Sequence, residues 1–340
     1  MQKYIQSIAI FLVAISISAG SFAAEVNIYS ARKENLIKPL LDRFSAETGI
    51  KINLITASAD KLLTRMVNEG RNTPADILIT VDAGRLYRAM QADLFQPIES
   101  RKIEQIVPAH LRHPDNYWIG LSQRARVIFY APERVNPDQL SSYENLAGEQ
   151  WKKRICIRGS GNIYNQSLVA SLIVTNGEKA AQQWTQSLVD NMARPPRGGD
   201  RDQIKAAAAG LCDIAVANTY YYGKMLENTK DKAQYEAAKK MALFWPNQDG
   251  RGAHVNVSGA GISKYSRNRE NAIKLLEFLV SPEAQDWYAS VNYEYPVNPE
   301  VKPSGLLESW GAFKVDTLNL SKLGEFNAEA VKMMDKAGWK

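Results

Sequence analysis

Histidine and cysteine are both scarce, with three of the first and two of the second in 340 residues. His110, His113 and His254 do not fall at zinc-site spacing, and the cysteines do not form a Cys-x-x-Cys pair. Metals that favour nitrogen and sulfur therefore find no ligand set here. A carboxylate-rich loop of the EF-hand kind is missing, which removes that route to calcium. No Gly-x-Ser-x-Gly elbow is present, so one nucleophilic-hydrolase signature is absent. Basic residues outnumber acidic ones only slightly, 42 to 36, and both signs are scattered. Without a basic stripe or motif, nucleic acid is not an expected partner. Long apolar runs are lacking too. The stretch from Ile8 to Ile17 is too short for a bilayer span, which needs about 20 residues.

That stretch follows Lys3 and leads into small residues, with Ser21 and Ala23 spaced like a signal-peptidase site. Residues 1–23 read as a cleaved secretory signal, so a soluble, exported mature protein is expected. In an oxidising compartment Cys156 and Cys212 are a disulfide candidate; two buried free thiols are the other reading.

What is present is a globular composition, 45% apolar and 23% charged. "EVNIYSA", "IKINLIT" and "ADILITVD" read as strands, with helical spacing at Leu36, Ile37, Leu40, Leu41 and Phe44 and again in "DKLLTRMVNEG". The alternation repeats further on. "KRICIRGS" and "CDIAVANTYY" read as strands around the helices "NQSLVASLIVTNG", "EKAAQQWTQSLVDN" and "RDQIKAAAAGL". Such alternation means βαβ units on parallel sheets, here in two α/β lobes. "GLSQRARVIFYAP" and "AHVNVSGAGISK" are apolar and β-rich, and are expected to run between the lobes as hinge strands. Ligands of open α/β sheets bind beyond the carboxyl ends of strands. "YSARKE", "RGSGNIY" and "NTYYYGK" all sit at such ends, so three loops from two lobes are expected to line one cleft.

"NTYYYGK" places three phenols in a row. Packing of a tyrosine-rich strand is the plain reading, since aromatic residues favour strands. A third strand-end phenol, Tyr164, changes the weighting. Tyr164, Tyr220 and Tyr221, as phenolates, would carry three negative charges on oxygen, which suits a trivalent hard cation such as Fe(III). Three ligands leave an octahedral ion incomplete. Arg32, Arg124 and Arg126 crowd the same ends, and guanidinium forks hold planar anions such as carbonate.

These motifs resemble the periplasmic ferric-ion-binding proteins, the transferrin-like branch of the bacterial solute-binding proteins. The likeness covers essentially the whole mature chain. It rests on "VNIYSAR", "ETGIKINLI", "PADILITVD", "GLSQRARVI", "GSGNIYNQS", "GGDRDQIKA", "NTYYYGKM" and "YEYPVNP"; "FLVSPEAQ" supports only the fold. The resemblance implies a type II periplasmic-binding-protein fold, with residues 24–123 and 253–300 in one lobe and 124–252 and 301–340 in the other. It implies a monomeric, non-catalytic protein that delivers ferric iron to an inner-membrane ABC permease and its ATPase. Tyr164, Tyr220 and Tyr221 match the family's phenolate ligands. Arg32, Arg124 and Arg126 match arginines near the metal or its anion, and Asp200 and Arg201 fall near an anion-lining stretch. Tyr222 matches no ligand. The chain departs from some relatives in its first loop, where Lys33 and Glu34 replace a His-Tyr pair. Glu34 is a candidate carboxylate ligand or a helix N-terminal charge. The alternative function is the same fold binding a small organic anion through the cleft arginines.

Overall fold

β1 (Glu25–Ser30) opens the fold, and a 3-10 turn (Glu34–Leu36) leads into α1 (Lys38–Thr48). α1 buries Leu40, Leu41 and Phe44 and stops at Gly49, whose φ of +70° suits glycine. β2 (Lys51–Thr56), α2 (Ala59–Glu69), β3 (Ile77–Val81), α3 (Ala83–Gln91), β4 (Phe95–Gln96) and α4 (Arg101–Ile106) complete this part. The computed structural model describes residues 24–303 and 305–340. The expected signal segment lies outside the described residues.

β5 (Ile119–Tyr130) is the longest strand. The second unit holds β6 (Ile155–Cys156), α5 (Ile163–Asn176), α6 (Glu178–Asn191), α7 (Asp200–Ala208), β7 (Ile214–Asn218), α8 (Thr219–Leu226), α9 (Lys232–Lys239) and β8 (Ala242–Phe244). β9 (Val255–Ser263) returns towards the first unit. There follow α10 (Arg269–Leu279), α11 (Pro282–Asn292), α12 (Leu306–Ser309), α13 (Ser321–Glu325) and α14 (Asn327–Lys336). Ser281 caps α11 by accepting from the Ala284 N–H, and Pro282 fills the first helical position, so α10 and α11 are two helices rather than one.

The strand order is β2-β1-β3-β9-β5-β7-β6. β1 pairs in parallel with β2 and β3, and β6 with β7; β9 and β5 are antiparallel to their neighbours. β5 is shared. Its first part, up to Ala125, pairs with β9, and its last residues, Arg126–Tyr130, pair with β7. The result is a two-lobe α/β architecture whose halves are joined by β5 and β9, the two segments expected to form the hinge. At Gly259 any Cβ would sit 2.4 Å from the Ile119 carbonyl oxygen, so glycine is what lets these strands lie together.

Two strand expectations are corrected. "KRICIRGS" contributes only Ile155–Cys156, because pairing with β7 ends at Cys156 and the chain turns at Ser160 and Gly161 to feed α5. "CDIAVANTYY" ends as a strand at Asn218, and its tyrosines lie in the first turn of α8. A disulfide joins Cys156 and Cys212, whose Cα atoms are 5.9 Å apart.

Candidate metal centre

Tyr164 stands in the first turn of α5 and Tyr220 and Tyr221 in the first turn of α8. α8 starts directly after β7 and α5 follows β6 by a six-residue loop, and both first turns bring their tyrosines to one cavity. The Tyr220 hydroxyl donates to the Tyr164 hydroxyl at 3.3 Å. The Tyr220 and Tyr221 rings lie with centroids 4.2 Å apart, tilted by 33°. Tyr222 turns the other way. It is buried against Phe129, and its hydroxyl donates to the Met241 carbonyl at 2.7 Å. Helical geometry makes this division, since each residue rotates the side chain by about a quarter turn.

Tyr164, Tyr220 and Tyr221 line one cavity of about 290 Å³ with Arg32, Arg201, Lys224 and Glu294. That is far more room than a single ion needs, and close to the lower end for small-ligand sites. Burial, with Tyr164 and Tyr221 beside it, pushes the Tyr220 phenol well above its ordinary range. Burial and the neighbouring Tyr164 push Tyr221 up to about 12. Metal-free, these two phenols are neutral at physiological pH.

The arginines divide into two groups. Arg32 and Arg124 both donate through Nη1 to the Ser258 hydroxyl, at 2.5 and 2.9 Å. The Nε and Nη2 atoms of both are buried and have no hydrogen-bond partner among the described residues. Two adjacent cations with spare buried donors form a cradle for an anion. Arg126 is engaged elsewhere. It donates to Asn165 at 2.5 Å, Asn218 at 3.0 Å and the Val216 carbonyl at 3.2 Å, and pairs with the buried Asp200 at 3.4 Å. Asp200 also accepts from the Asn218 N–H at 3.1 Å. Arg126 and Asp200 thus tie β5, β7, α5 and α7 together beneath the tyrosines rather than lining the cavity. Arg201 does line it, with its guanidinium 5.5 Å from the Tyr221 ring. Glu34 is exposed in the 3-10 turn and does not line it.

Three residues at the site escaped the sequence reading, Lys224 and Glu294 in the cavity wall and Ser258 between Arg32 and Arg124. Lys224 lies one helical turn beyond Tyr220, and its Nζ is 5.8 Å from that ring. Burial, with Arg32, Arg201 and Lys33 nearby, pushes its amine down to about 8 against the opposing pull of Glu294. The i, i+4 spacing from Tyr220 was a legible signal. Ser258 faces Ser122 in the β5–β9 register, and Ser122, Arg124 and Arg126 alternate onto one face of β5. Glu294 accepts from Arg32 Nη1 at 2.9 Å and from the Ser122 hydroxyl. Burial alone would raise its pKa, but the Arg32 and Arg124 guanidiniums and these hydrogen bonds hold it below the usual carboxylate range. Only its place in "YEYPVNP", an acid between two tyrosines, hinted at it.

The donor set fits a hard cation and nothing softer. Among the described residues, no cluster of three or more His, Cys, Asp or Glu side chains could hold a metal. What converges instead is phenol oxygen beside arginine donors.

Residues 72–314 match the family model for bacterial extracellular solute-binding proteins. The chain is 51% identical to iron uptake protein A1 of Synechocystis, covering 93% of this chain and 88% of that one. The Trichodesmium protein IdiA (FutA), solved in complex with iron and citrate ligands, superposes with a TM-score of 0.91 at 49% identity, over 93% of this chain and all of the other. The ferric binding protein of Campylobacter jejuni superposes with a TM-score of 0.86 at 39% identity, over 93% and 100%.

Proposed function

The chain belongs to the bacterial extracellular solute-binding proteins, in the ferric-iron-binding branch that acts in iron uptake, and we propose that it captures Fe(III) through the phenolates of Tyr164, Tyr220 and Tyr221. The observation that carries this reading is the convergence of three phenols from two helix starts, two of them 3.3 Å apart, in one cavity. A planar carbonate-like anion completes the metal's shell against Arg32 and Arg124, with Arg201 beside Tyr221. The protein is exported after loss of residues 1–23, works as a monomer, and hands its cargo to an inner-membrane ABC permease and its ATPase. It has no catalytic role. Capture by two lobes gives a closed, ligand-stabilised state that a permease can reopen.

The test is a visible spectrum of the purified protein, with and without ferric iron and bicarbonate. Iron-loaded protein should show a phenolate-to-iron charge-transfer band. Tyr220→Phe and Tyr221→Phe each remove one oxygen while keeping the ring, and each should weaken the band and the affinity. Wild-type spectra in both variants would overturn the ligand assignment. A second reading is favoured by the cations that line the cavity: an organic anion is the cargo and the tyrosines are walls. Tight anion binding without iron, and no colour with it, would select that reading.

A further inference from the structure

We propose that Glu294 supplies a fourth protein oxygen to the metal, through Oε1; the proposal rests on the tyrosine-bound ferric reading above. Among the described residues Glu294 is the only acidic side chain lining the cavity. Its two hydrogen bonds, from Arg32 and Ser122, both fall on Oε2, and among the described residues none falls on Oε1. The carboxylate is therefore gripped by one oxygen and free at the other.

Its position is fixed before any metal arrives. Tyr293 ends α11 with φ at +56°, and Tyr295 then exchanges backbone hydrogen bonds with Gln123 of β5, at 2.7 and 2.8 Å. Glu294 is held between these two anchors and beside Ser122. A ligand locked in this way loses little freedom on coordination. The first loop offers no competitor, since Lys33 is a cation and Glu34 is exposed away from the cavity.

The coordination chemistry closes. Ferric iron is a hard ion that takes oxygen. Three phenolates and one carboxylate oxygen fill four octahedral positions, and one bidentate planar anion fills the other two. The negative charges each have a partner, with Arg124 and Arg201 the cations left for the anion. Three phenolates neutralise the ion, and the Glu294 charge is already matched by Arg32 at 2.9 Å. Arg32 then orients the carboxylate from behind through Oε2 while its remaining donors serve the anion.

The experiment loads the full exported protein with ferric iron as wild type, Glu294→Gln, Glu294→Asp and Glu34→Gln, after circular dichroism has shown each to be folded. Electron paramagnetic resonance and X-ray absorption report the metal shell, and chelator competition reports affinity. Glu294→Gln should keep the phenolate colour but shift the band and the resonance signal, and lose at least about tenfold in affinity. Glu294→Asp keeps the charge but shortens the reach, so it should fall between the two. Glu34→Gln should match wild type. If Glu294→Gln weakens binding with an unchanged band, resonance signal and oxygen shell, Glu294 only holds Arg32 and the proposal is wrong. A wild-type protein with no charge-transfer band would remove the tyrosine reading, and this proposal with it. A normal wild-type band with an indifferent Glu294→Gln would remove this proposal alone.

Discussion

A neutral phenol must lose its proton before it can bind iron, and the cavity makes that loss harder in the metal-free protein. Burial and mutual proximity raise Tyr220 well above its usual range and Tyr221 to about 12. Below those values each phenol that coordinates releases one proton, so log affinity rises with pH by one unit for each. The sign is fixed: acid weakens iron binding. Affinity should change by more than about tenfold per pH unit between neutral and mildly acidic conditions, because more than one proton is displaced. Chelator competition at several pH values checks this, and a pH-independent affinity would contradict phenolate ligation. Arg32→Ala should lose more affinity in bicarbonate buffer than without it, because its Nε and Nη2, buried without a partner among the described residues, are the donors proposed to hold the anion. An equal loss in both buffers would remove the anion role and leave the phenolates standing.

At the scale of elements, the site depends on two strand-to-helix junctions being held in register. β6 and β7 pair in parallel through only two residue pairs, Ile155 with Ile214 and Cys156 with Ala215. So short a ladder contributes little by itself. The disulfide joins Cys156, the last residue of β6, to Cys212, two residues before β7, across a sequence separation of 56. Closing a loop of that length stabilises the native state by roughly 4 kcal/mol through the unfolded chain. Reduction, or Cys156→Ser with Cys212→Ser, should lower the urea midpoint accordingly, with little effect on the colour of iron-loaded protein under native conditions. Equilibrium unfolding with and without reductant measures it; an unchanged midpoint would mean the bond constrains nothing.

At the scale of the molecule, β5 runs through both halves with β9 paired along its first part, and α13 packs on α3 from one half and α5 from the other. A direct polar contact also spans the cleft. The Ser167 hydroxyl on α5 donates to the buried Asp82 carboxylate, at 2.8 Å to Oδ1, where β3 runs into α3. Asp82 holds φ at +81° to cap α3, and also accepts from Asn256 Nδ2 of β9 at 2.8 Å. Burial raises its pKa, against the pull of Arg124 and hydrogen bonds that include the one from Ser167. Ser167→Ala should therefore cost about 1 kcal/mol of the state in which the halves touch. That is about a fivefold loss of iron affinity with the charge-transfer band unmoved, since no metal ligand changes. An unaltered affinity would mean the contact is equally made in both states.

Local pattern alone determined a good deal. Period-two and helical spacing located β1, α1, β2, α2 and β3, and the apolar segments around Arg124 and Ser258 marked β5 and β9. The strand-end tyrosines and arginines were legible because their chemistry is specific and their neighbours are turn residues. Other features needed three dimensions. Asn218 ends its strand because β7 stops pairing with β5 there, which depends on the partner strand and not on the tyrosines that follow. Arg124 and Arg126 share a face in sequence, yet both Nη atoms of Arg126 are engaged, on Asp200, Asn218, Asn165 and Val216, while Arg124 Nη2 has no partner among the described residues. Glu294 lies 262 residues from Arg32, and only the docking of its segment on β5 brings the two to 2.9 Å. Sequence spacing encodes which face a side chain takes within one element; which faces meet is decided by how the elements pack, because the groups that meet come from strands and helices far apart in the chain.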